Sequence, residues 1–119
     1  MGDYRDLEIW KRSMGLATAV YRLTDAFPAQ ERFVLVSQLR RAATSIPANI
    51  AEGTGRRGDK DFARFLDIAY GSLLEVETLI LLAEELGFAG REPARALRDE
   101  TAQLGRMLNR LRLRMRSHS

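Results

Sequence analysis

The side chains best able to do chemistry in this chain are guanidinium groups. Of the 19 basic residues, Lys11 and Lys60 are the only lysines. Arginine presents a planar fork of donors that matches carboxylate or phosphate, so the bias suits either internal ion pairs or an anionic polymer. Position along the chain separates these uses. Acids and bases alternate through most of the sequence, but from Leu104 onward Arg106, Arg110, Arg112, Arg114 and Arg116 occur without a single acid. A second basic group, Arg56, Arg57 and Lys60, lies in the segment GTGRRGDK. These eight residues are the candidate nucleic-acid-binding set, acting by phosphate contacts and by stacking on unpaired bases. The competing reading is a solvated helix face whose positive charge suits a helix C-terminus. No aromatic platform accompanies either group, so base-specific readout is not expected.

No catalytic set is visible. The chain has no cysteine, which removes thiolate ligands and thiol nucleophiles, and its one histidine, His118, lies in the tail. Glu75 and Glu77 are paired carboxylates, but metal-binding bundles supply a Glu-x-x-His arrangement from facing helices, and none exists here. If the segments before and after GTGRRGDK fold back on each other, Arg40 and Arg41 reach the height of Glu75 and Glu77. An Arg–Glu brace is then the expected arrangement. Ser45, Asn49 and Ser72 lie on or beside apolar seams with no base to activate a serine, and are read as structural groups serving the backbone near Pro47. The glycines of NIAEGTGR lack the lysine and hydroxyl of a phosphate-binding P-loop. The expectation is a protein without catalytic residues, metal or cofactor.

Four helical segments must position these groups. Leu7, Trp10, Met14, Ala17, Tyr21 and Thr24 recur in steps of three and four, placing a helix over 6–26 with Asp6 as N-cap and a stop before Pro28. Leu35, Leu39, Ala42, Ile46, Asn49 and Gly53 predict a second over 29–53 that stays in phase across a kink at Pro47. After the glycine-rich loop, Phe62, Leu66, Ala69, Leu73, Val76, Ile80 and Ala83 form the longest regular seam, giving a helix over 60–86 that begins after Asp59 and stops at Gly87. Leu97, Thr101, Leu104, Leu108, Leu111 and Met115 define the last, over 93–115, with Pro93 at its first position. Helices of this length joined by short connections form an antiparallel up-and-down four-helix bundle. The 119 residues, 45% of them hydrophobic, suit one domain, 1–119. In that topology the 53–60 loop shares an end with the last helix's C-terminus, which brings the two basic groups together.

The third helix carries more apolar surface than one bundle needs. A second seam, Phe65, Ile68, Ser72, Glu75, Leu79, Leu82 and Leu86, runs beside the first, and Leu74 and Leu81 cover a third side. Burial by further copies of the chain is the expected outcome, with Leu74 and Leu81 in the interface. The N-terminal segment MGDYRDLEIW has no signal-peptide pattern, and no apolar run reaches membrane-spanning length. Together with the missing cysteines, this places the protein in the cytoplasm without membrane association.

QLRRAATSIPANIAEGTGR at 38–56 and FARFLDIAYGSLLEVET at 62–78, with DLEIW, Tyr21 and the pair Phe27–Pro28, resemble the proteins encoded in intervening sequences of bacterial 23S rRNA genes. The resemblance implies a left-handed four-helix bundle and a ring-like homopentamer. It also extends to a similar bundle, the accessory protein of diversity-generating retroelements, which binds nucleic acid and partners a reverse transcriptase. Two roles follow as expectations: an oligomeric basic scaffold for RNA or DNA, or a structural module that recruits a protein partner.

Overall fold

The computed structural model describes residues 3–118, and its helices form an all-helical, up-and-down bundle of 47 × 22 × 20 Å. A short 3-10 turn, Tyr4–Asp6, precedes α1 (Glu8–Thr24). Next come a 3-10 turn at Ala29–Glu31, a π turn at Arg32–Val36 and α2 (Ser37–Thr54), followed by α3 (Gly58–Glu85) and α4 (Arg91–Ser117). Consecutive helices pack side by side, and α1 closes against α4.

Every residue of the main α3 seam, from Phe62 to Ala83, is buried. The α2 seam is buried apart from half-exposed Asn49, and the α4 seam through Leu108, with Leu111 and Met115 half-exposed near the helix end. On α1 the expected seam is rotated from the real one. Met14 and Tyr21 are exposed, while Ile9, Ser13, Leu16 and Val20 fill the core beside Ala17 and Thr24. Ser13 is buried despite its polarity, because a hydroxyl is tolerated inside once it bonds its own helix. Its Oγ donates to the Trp10 carbonyl at 2.8 Å. Thr101 is buried in the same way, donating to the Arg98 carbonyl at 2.7 Å.

The ends also differ from expectation. Asp6 is not the cap of α1: Leu7 holds that position, and Asp3 caps the preceding turn by accepting from the Arg5 amide at 2.8 Å. The Arg5 side chain holds the Asp3 carboxyl down to about 2. Pro93 is the third residue of α4 rather than the first, still within the turn whose amides have no helical acceptor. The helical irregularity displayed lies at Arg32–Val36; α2 is α-helical on both sides of Pro47.

Two glycines set the bundle's turns. Gly87 at φ +76° ends α3 in a Schellman arrangement, with the Phe88 amide donating to the Ala83 carbonyl at 2.9 Å and the Gly87 amide to Glu84 at 3.0 Å. At the other end, a Cβ on Gly53 would lie 2.7 Å from Phe62 Cδ1 and 2.8 Å from Phe65 Cβ. Only hydrogen fits where α2 meets the start of α3.

Candidate nucleic-acid interface

The C-terminal arginines project from one helix but not in one direction. Arg112 and Arg116 turn toward α3, where Asp67 Oδ1 accepts from Arg112 Nη1 at 3.0 Å and from Arg116 Nη2 at 2.7 Å. Arg112 also donates to Asn109 Oδ1 at 3.0 Å and lies 4.3 Å from the centre of the Tyr70 ring. These contacts leave it the most enclosed member of the group, with a side-chain exposure of 21%. It acts as a strut between α3 and α4.

Arg106, Arg110 and Arg114 are exposed and have no ion-pair partner among the described residues. Their spacing of four places them on one stripe of α4, separated by about 6 Å of rise per step. Like charges at this spacing repel one another, although Arg114 in the last turn suits the helix C-terminus, and without internal acids the stripe is open to an external anion.

The loop group divides similarly. Arg56 donates to Glu52 Oε2 at 2.8 Å and lies 4.7 Å from the Phe65 ring centre, whereas Arg57 and Lys60 are exposed without ion-pair partners among the described residues. His118 of the tail meets Asp59 at 2.5 Å, which places the end of α4 against the start of α3. The last turns of α4, with Arg114 and Arg116, therefore share one end of the bundle with the loop group, while Arg106 lies at mid-helix. Helical spacing does not disclose that the rings of Phe65 and Tyr70 lie under Arg56 and Arg112, as internal supports beneath the guanidinium groups.

The central polar residues form a different arrangement from the expected brace. Glu75 is exposed and accepts from Gln38 Nε2 at 3.3 Å, and Arg41 is exposed. Arg40 turns instead toward α1. Its Nε donates to the buried Thr24 hydroxyl at 2.9 Å, its Nη2 to the Tyr21 carbonyl at 3.2 Å and to Asp25 at 3.0 Å, and its guanidinium lies 4.4 Å from the Tyr21 ring centre. The physical reason is the wider face of α2: one step of 100° carries Arg40 toward α1 and Arg41 to solvent. Glu77 is half-buried and lines, with Arg106 and Tyr70, a groove between α3 and α4, forming no ion pair there.

Ser45, Asn49 and Ser72 do come together. The Ser72 hydroxyl donates to Ser45 Oγ at 2.9 Å, and Asn49 Nδ2 donates to Ser45 Oγ at 3.0 Å and to the Ser45 carbonyl at 2.8 Å. That carbonyl is not the one deprived of its donor by Pro47, which belongs to Ala43. On the outer side of α3, Leu74 is 45% and Leu81 49% exposed, with Ile68, Leu82 and Leu86 also open. Among the described residues, no group of histidine, cysteine or carboxylate side chains is arranged to hold a metal ion, and no helix is long and apolar enough to cross a membrane.

A four-helix bundle with a basic end and an apolar outer helix face defines the class of this protein. The 23S rRNA-intervening sequence protein family matches residues 5–110, and the chain belongs to that family. The fold is shared with a crystal structure of a protein of unknown function from the S23 ribosomal protein family of Bacteroides thetaiotaomicron, at a TM-score of 0.77 and 23% identity over 92% of this chain and 99% of that one. No curated protein matches the sequence.

Proposed function

We propose that the protein is a non-enzymatic, oligomeric scaffold that holds RNA or DNA through phosphate contacts. The observation that carries this reading is the Arg106–Arg110–Arg114 stripe, exposed and without ion-pair partners among the described residues, which runs from the middle of α4 toward the bundle end that also holds Arg57 and Lys60. Arg112, Arg116 and Arg56 have internal acids and enter the phosphate-binding set only by exchanging them. Repetition of the stripe around a closed oligomer, five copies in the expected ring, raises affinity without demanding a strong individual site.

Assembly is supported by the row of exposed leucines on α3, which a single bundle leaves against water. The same row supports the second reading, a structural or protein-interaction module that does not bind nucleic acid. Filter retention of RNA and DNA at about 50 mM salt separates the two, because phosphate contacts are strongest when counterions are dilute. Retention supports the scaffold; its absence with intact oligomers supports the interaction module.

A further inference from the structure

A second basic surface lies toward the opposite end of the bundle, where α1 ends and the π turn leads into α2. Phe33, within that turn, is 86% exposed, more than any other large hydrophobic side chain described. It borders a groove of about 340 Å³ with Tyr21, Arg32, Arg40, Arg41 and Thr44 among the lining residues, and no carboxylate lines it.

The groups differ in how firmly they are held. Arg40 is fixed by Thr24, Asp25 and the Tyr21 ring, and so forms a rigid wall. Arg32 and Arg41 are exposed and have no ion-pair partner among the described residues; Arg32 lies 5.9 Å from the Phe33 ring centre. Leaving an aromatic ring in water is unfavourable, and the bundle core already contains Leu35 and Val36 from the same turn. Two guanidinium groups without ion-pair partners among the described residues, Arg32 near that ring and Arg41 farther along the same groove, favour an anionic occupant carrying a flat apolar face.

Resting on the phosphate-binding reading above, we propose that this groove takes an unpaired nucleotide of a single-stranded nucleic acid. Its base stacks on Phe33, and its flanking phosphates contact Arg32 and Arg41. Stacking tolerates any base, because each presents a π face. A duplex keeps its bases stacked on each other and has none to offer.

The test compares a ten-nucleotide oligouridylate with an abasic strand of equal length, using wild type and Phe33→Ala at low salt. Phe33→Ala is expected to weaken oligouridylate binding about tenfold and to leave the abasic strand unchanged, with Phe33→Trp restoring the difference. Equal effects on both strands, or none, overturn the stacking proposal while phosphate binding stands. If Phe33→Ala lowers the oligomer mass and alters neither affinity, the ring belongs to a contact between copies and the proposal falls. If wild type retains neither strand, the phosphate-binding reading itself fails and takes the groove with it. Because Phe33 is exposed, an unchanged thermal melt is expected for each variant.

Discussion

Arg112 Nη1 donates to Asp67 Oδ1 at 3.0 Å across the seam between α3 and α4, and Arg116 shares the same oxygen at 2.7 Å. One carboxylate therefore withdraws two guanidinium groups from the basic end. Asp67→Asn releases both. The pair is partly exposed, so the expected stability loss is about 1 kcal/mol or less. On single-stranded RNA, however, the slope of log affinity against log salt steepens by up to about 1.4, from roughly 0.7 for each added phosphate contact. A salt series on wild type and variant measures it; an unchanged slope means the released arginines do not reach the strand.

The two neighbouring arginines of α2 have opposite fates. Arg40→Ala removes the donor to the Thr24 hydroxyl and the contact over Tyr21, and is expected to cost about 1–3 kcal/mol. Arg41→Ala stays within about 0.5 kcal/mol of wild type, as surface substitutions do. Arg41→Ala and Glu75→Leu are expected to add independently in the double variant. Urea melts check all four proteins, and coupling between Arg41 and Glu75 above about 0.5 kcal/mol contradicts this arrangement.

The exposed leucines of α3 give a separate test of assembly. Leu74→Glu and Leu81→Glu together place two carboxylates on the proposed contact surface, where burial without partners is costly. Light scattering is expected to show an oligomer for wild type and a smaller species for the double variant, with helix content preserved in both. A wild-type monomer at micromolar concentration contradicts the assembly reading.

Much of the fold was legible because long helices repeat their burial pattern. The α3 seam from Phe62 to Ala83 has no polar interruption, and Gly87 ends it by a backbone rule that depends on one residue. The α1 face is not legible from spacing, because buried Ser13 looks polar while exposed Met14 and Tyr21 look apolar. The basic end was legible as charge, since topology alone brings the 53–60 loop to the end of α4. What spacing did not disclose is which arginines are engaged. Arg112 and Arg106 both sit in an acid-free stretch, yet Arg112 is ion-paired to Asp67 over the Tyr70 ring, whereas Arg106, in the same α3–α4 groove as Tyr70, has no ion-pair partner among the described residues. That distinction depends on side-chain reach across a helix seam. Phe33 was likewise hidden within a segment read as regular helix, because a π turn rotates the face that the chain presents.

The central claim is that phosphates are held by the Arg106, Arg110 and Arg114 stripe. Its most direct test is the salt dependence of single-stranded RNA binding for wild type and for the triple variant Arg106→Gln, Arg110→Gln, Arg114→Gln. Glutamine keeps the helix and removes the charge, so the fold is expected to remain intact by circular dichroism. If all three side chains contact phosphate, the slope of log affinity against log salt becomes shallower by roughly 2, with little change in preference among base sequences. An unaltered slope, or wild-type protein that retains no RNA at about 50 mM salt, contradicts the account.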